Sequence, residues 1–99
     1  MSIEMLEKIA VARLVEFSGR LSGIDVGLEY DTSVAELLAE RSYTPGFGVR
    51  PLLRKIVYEI ENPIAEMLVK KEVAAGDTVI LSGTGGSLKI KKKELSKNR

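Results

Sequence analysis

Neither cysteine nor histidine occurs anywhere in this 99-residue chain. Without cysteine there is no disulfide and no thiolate metal site, and without histidine the commonest imidazole ligand and general base is missing. Hydrolytic triads and zinc chemistry are thereby excluded, and no metal site is expected. No Gly-x-x-x-x-Gly-Lys-Ser/Thr sequence and no acidic strand end after one is present, so the chain lacks the phosphate cradle and magnesium ligand of a P-loop ATPase and is not expected to be an enzyme alone. Charge of one sign is also lacking: 15 basic against 14 acidic residues leave a net +1, which steers the whole chain toward neither nucleic acid nor a membrane. The opening residues mix Glu4, Glu7, Lys8 and Arg13 into the apolar pattern, unlike a signal peptide or a membrane span. An intracellular, cytoplasmic protein of one domain is expected.

What is present is periodic. Ile3, Leu6, Ala10, Leu14, Phe17 and Leu21 make one stripe of an amphipathic helix, with Glu4–Lys8 and Glu16–Arg20 as favourable i,i+4 pairs on its other face. Ile24, Val26, Leu28 and Tyr30 alternate with Asp25, Gly27 and Glu29 at the period of a half-buried strand. Ser33 and Glu36 have capping-box spacing, predicting a second helix to about Arg41. A longer stripe follows at Leu53, Ile56, Val57, Ile60, Ile64, Met67 and Leu68; Pro63 interrupts it, which predicts a kink with Asn62 capping a restarted helix. Ala75-Gly76-Asp77 reads as a turn, Thr78–Leu81 as a strand, and Ser87–Lys91 as its hairpin partner. The order predicts an α+β fold, helices packed on a small antiparallel sheet.

Between the second and third helices lies Tyr43-Thr44-Pro45-Gly46-Phe47-Gly48-Val49-Arg50-Pro51. Gly46 and Gly48 can take positive φ, and Pro51 suits a first helical position, so Arg50 falls at a helix start. A cation there is mildly disfavoured by the helix dipole unless an anion is near, and Arg50 therefore either meets a phosphate or carboxylate or extends into solvent. Gly83-Thr84-Gly85-Gly86-Ser87 is glycine-rich but flanked by strands, which predicts a hairpin turn and not a phosphate loop. Lys89, Lys91, Lys92, Lys93, Lys97 and Arg99 make the end basic, without interleaved aromatics to stack bases; nucleic acid is not the expected partner. Glu59, Glu61 and Glu66 read as an ordinary solvated helix face.

The residues resemble a known family. Leu37-Leu38-Ala39-Glu40, Tyr43, Pro45, Phe47-Gly48-Val49-Arg50-Pro51-Leu52, Arg54, Ile56, Ile60-Glu61-Asn62-Pro63, Ala65 and Gly76-Asp77 look like the C-terminal small domain of Clp-type AAA+ unfoldases (the ClpA, ClpB and ClpC kind), from about Leu6 to Ile90. The resemblance implies the lid of a second AAA+ module at 1–91, followed by a basic tail at 92–99 that is expected to be disordered. It also implies that Gly48-Val49-Arg50 aligns with the family's Gly-Ala-Arg tripeptide, whose second-sensor arginine reaches the terminal phosphates of ATP; Val49 departs from the usual alanine. On this reading Gly48, Val49 and Arg50 form the nucleotide-binding set and Arg50 acts catalytically with an ATPase module outside this chain. ATP and magnesium belong to the parent, with none tightly bound here. The implied partners are the large AAA+ domain, adjacent subunits of a homo-hexamer and protein substrates. The chain is then the last part of a longer ATPase, beginning near Met1. A free-standing interaction or oligomerisation module with the same fold is the alternative.

Overall fold

A computed structural model describes residues 1–94. Its first helix, α1 (Ile3–Ser22), is started by Ser2, whose hydroxyl accepts from the Met5 amide at 3.1 Å. The expected stripe is the buried one from Leu6 to Leu21, while Ile3 stays 39% exposed at the frayed end. Strand β1 (Gly27–Glu29) is shorter than the alternation predicts, since Ile24 lies in an exposed turn. Helix α2 (Thr32–Ser42) begins two residues earlier than expected. Asp31, not Ser33, is its cap: one carboxylate oxygen accepts from the Ser33 amide at 2.9 Å and from the Ser33 hydroxyl at 2.5 Å. Both bonds favour the ionised carboxylate and hold the Asp31 carboxyl below its ordinary range. Ser33 Oγ is left to accept from the Gly83 amide at 3.2 Å. That bond draws the helix against the later hairpin so closely that a Cβ on Gly83 would stand 2.6 Å from the Ser33 carbonyl oxygen.

The third rod is continuous but changes register. Helix α3 (Arg50–Ile56) passes through one wide π turn (Val57–Glu61) into α4 (Asn62–Val69). The expected Asn62 cap does not form; the Asn62 amide instead reaches back five residues to the Val57 carbonyl. Pro63 has no amide to donate, and its ring would press on the carbonyl four residues back in an unbroken α-helix. Widening the preceding turn accommodates both. The turn also aligns the core. Leu52, Ile56, Ile60 and Ile64 are all fully buried at a strict spacing of four. In an α-helix at 3.6 residues per turn, each such step swings by about 40°, so the row would wind off the core; a turn holding more residues pulls it back. For the same reason Leu52 takes the core position that Leu53 was expected to hold, and Leu53 and Val57 are half-buried.

Strands β2 (Thr78–Ser82) and β3 (Lys89–Lys92) follow as the expected hairpin, with Gly85 and Gly86 at φ 84° and 81° in its loop. The α+β class holds, but the sheet is mixed and not antiparallel throughout. Its order is β1-β2-β3: Leu28 pairs with Val79 in parallel, and Leu81 with Ile90 antiparallel. Two helical rods lie between β1 and β2 and return the chain in its original direction, as a parallel pair requires. Lys92 belongs to β3, and the Lys93 amide still donates to the Thr78 carbonyl at 2.7 Å. Of the tail expected at 92–99, positions 95–99 lie outside the described residues.

Candidate functional site

A cleft of about 740 Å³ opens where the α2–α3 loop meets the third rod. Two backbone features shape it. Tyr43 leaves α2 extended, at ψ 121°, and Pro45-Gly46 then turns the chain, with the Phe47 amide donating to the Thr44 carbonyl at 3.1 Å. Gly46 and Gly48 sit at φ 86° and 66° with nothing within 4 Å of where a Cβ would be, so conformation and not space demands glycine there. The reversal leaves Phe47 67% exposed at the rim and brings Val49 half-buried against the core, immediately ahead of α3. Arg50 is the first residue of that helix and Pro51 the second, one place later than expected.

Val49 and Arg50 both line the cleft; Gly48 shapes the loop without lining it. Arg41, Arg54, Lys55 and Tyr58 also contribute and were given no site role from the sequence, Arg54 entering there only as part of the family resemblance. Arg50, Arg54 and Tyr58 recur at intervals of four along one helix, so their spacing was the available signal. Tyr58 is 68% exposed and, like Phe47, lines the opening.

The cations are not equivalent. Lys55 Nζ is neutralised by Glu59 at 2.7 Å, and an Arg41 guanidinium nitrogen donates to the Gly86 carbonyl of the hairpin loop. Arg50 and Arg54 are exposed, and among the described residues neither makes a side-chain hydrogen bond or an ion pair. Chemically the cleft can hold a polyanion that also carries an apolar or aromatic part: guanidinia supply bidentate donors, while Phe47, Val49, Pro51 and Tyr58 supply the walls.

Glu61 contradicts its expectation as a solvated carboxylate. Its side chain is only 13% exposed and accepts from Arg13 Nε at 2.8 Å and Arg13 Nη2 at 3.2 Å, with Arg20 Nη2 at 3.5 Å. Those Arg13 hydrogen bonds, against the cost of burial, hold the Glu61 carboxyl below its ordinary range. The expected pairs Glu4–Lys8 and Glu16–Arg20 are not formed among the described residues; Arg20 turns instead to Glu61 and stacks over Phe17 at 5.4 Å.

Fold and cleft together define a small α+β domain with an anion-receptive opening at a loop-to-helix joint. Residues 1–81 match the family model described as the C-terminal, D2-small domain of ClpB protein. The chain is 37% identical over 89 residues to the chaperone protein ClpB of Rickettsia felis, covering 90% of this chain and 9% of the relative. It is 34% identical over 80 residues to the chloroplastic chaperone protein ClpC3 of rice, covering 81% and 9%. With the ClpB of Lactococcus lactis it shares 33% over 82 residues, covering 83% and 10%. The chain belongs to the ClpB D2-small domain family, the C-terminal small domain of Clp-type AAA+ chaperones. It spans about a tenth of the length of the curated relatives it matches. None of its described helices is long and apolar enough to cross a membrane.

Proposed function

We propose that this chain is the lid of an ATP-dependent Clp-type protein unfoldase, closing on nucleotide held by a large AAA+ domain and presenting Arg50 to its terminal phosphates. The observation that carries this reading is the Arg50 guanidinium lining a basic cleft, with no carboxylate partner among the described residues. ATP, with its magnesium, would supply the phosphoanhydride whose cleavage drives the machine. This chain's contribution is positioning. Glycine-enforced loop geometry sets where the helix begins, Val49 anchors that start in the core, and Arg50 projects from it. A guanidinium placed in advance stabilises developing charge on phosphate oxygens without solvent reorganisation. Movement of the lid against the large domain would then couple hydrolysis to pulling on protein substrates, with adjacent subunits of a homo-hexamer as further partners.

The test is Arg50→Ala in the intact ATPase that carries this chain. A charged hydrogen bond is worth about 1.5–3 kcal/mol, so turnover should fall roughly ten- to hundredfold. Assembly and the melting temperature should stay as they are, because the side chain is exposed and unpaired. Unaltered hydrolysis would remove the assignment.

A further inference from the structure

Arg54 has no role in the reading so far. Five arginines lie within the described residues, and three of them are satisfied inside the fold: Arg13 and Arg20 by Glu61, Arg41 by the Gly86 carbonyl. The two without a partner, Arg50 and Arg54, stand one helical turn apart and line the same cleft. Like charges at i,i+4 repel on a helix, so the pair is unfavourable until something negative joins it. Glu59, the carboxylate that lines the cleft, pairs with Lys55 at 2.7 Å and, among the described residues, with neither of these arginines. Arg41, though hydrogen-bonded, keeps its charge and adds to the excess.

We propose that Arg54 is a second anion-binding side chain of this cleft, so that the site recognises a polyphosphate through two guanidinia on consecutive turns and not a single phosphate through one. Four residues of α-helix rise about 6 Å. That separation lets two bidentate forks engage different phosphates of one chain, whereas a lone phosphate meets only one fork. A single carboxylate from a docked protein domain brings one negative charge against two cations, whereas a polyphosphate brings several. Charge matching therefore favours the polyphosphate. Arg50 supplies the contact farther toward the loop, and Arg54 holds the neighbouring phosphate and selects for chain length. The inference rests on the lid reading for the identity of the ligand as nucleotide, but its chemistry is testable on this chain alone.

The experiment is a nuclear magnetic resonance titration of the 99-residue chain, following the arginine Nε–H signals, with tripolyphosphate in one series and orthophosphate in another. Arg50 and Arg54 should shift together with tripolyphosphate and half-saturate at a concentration roughly ten times lower than with orthophosphate. Arg54→Ala should erase that preference, and Arg54→Lys should restore it only in part, because an ammonium lacks the planar fork. Both substitutions are on the surface and should leave the melting temperature unchanged. An unmoved Arg54 signal, equal affinity for both probes, or an equal response from Arg13 and Arg20 outside the cleft would overturn the proposal. None of these results touches the Arg50→Ala turnover measurement, so the lid reading can stand when this inference falls. Loss of turnover on Arg54→Ala through failed assembly, with nucleotide affinity intact, would instead mark a docked carboxylate as its partner and overturn the proposal.

Discussion

The arginines that meet the middle of the third rod and those at its loop end live under opposite rules. Around the π turn, Arg13 and Arg20 converge on one shielded carboxylate, Glu61, so both guanidinia meet a negative charge within the fold. At the loop end, Arg50 and Arg54 project into an open cleft whose acid is already taken by Lys55. One cluster joins α1 to the rod and belongs to stability. The other is left incomplete, and an incomplete charge cluster on a folded scaffold is a place for a ligand.

The largest stability effect should come from breaking the satisfied cluster. Glu61→Gln strands Arg13 in a partly shielded position, between the regimes of exposed and buried pairs, and should cost about 1–2 kcal/mol. In a chain of this size each kcal/mol lowers the melting temperature by about 4–8 °C, which calorimetry would resolve. A loss below a few tenths of a kcal/mol would mean that both clusters are surface decoration. Acid should sharpen the contrast next. Glu61's carboxyl is held low by its Arg13 bonds, so the unfolded chain takes up the proton first. Its stabilisation is therefore fully present above the unfolded carboxylate range near about pH 4.3 and fades as pH falls through the lower folded value. Asp31 acts in the same direction through its Ser33 bonds. Glu61→Gln should flatten the Glu61 share of the acid limb while leaving that of Asp31; an unchanged slope would show that the carboxylate is not coupled to folding.

Smaller effects are expected in the cleft. Glu59→Gln releases Lys55 from an exposed i,i+4 pair and should cost about 0.3–0.5 kcal/mol by denaturant titration, while tightening tripolyphosphate binding. Weaker binding in that variant would mean that Glu59 itself contacts the ligand. Smallest of all, Arg54→Ala should change stability by less than about 0.5 kcal/mol, since relief of repulsion with Arg50 offsets lost stem packing. A clear destabilisation would place Arg54 with Arg13 and Arg20 as a structural residue.

How far these two regions could be read from the sequence differs for a physical reason. Periodicity exposes faces: the α1 stripe, the extent of α2, the β2–β3 hairpin and the glycine-set loop at Arg50 all depend on neighbours within a few residues. It does not expose what a face meets. Glu61 reads as solvated because Arg13 is 48 residues away. The capping-box spacing at Ser33 pointed to the wrong cap because Asp31 accepts from the Ser33 amide and starts the helix earlier, which leaves the serine hydroxyl for Gly83. Arg54 and Tyr58 carried a visible spacing from Arg50, yet exposed charge at i,i+4 is ordinary on any helix until the acids that should neutralise it are located.

Local chemistry alone determined which segments become helices and strands, that the chain is α+β, and that a loop rich in glycine delivers Arg50 to a helix start, because those outcomes follow from backbone freedom and residue spacing. The resemblance carried in Tyr43 to Ala65 identified the Clp family for the same reason: the residues lie close together in the chain. Only the tertiary structure decided that β1 runs parallel to β2, that a π turn keeps Leu52, Ile56, Ile60 and Ile64 in one buried row, and which arginines are satisfied. Each of those depends on partners far along the chain, and distance in sequence carries no force until folding removes it.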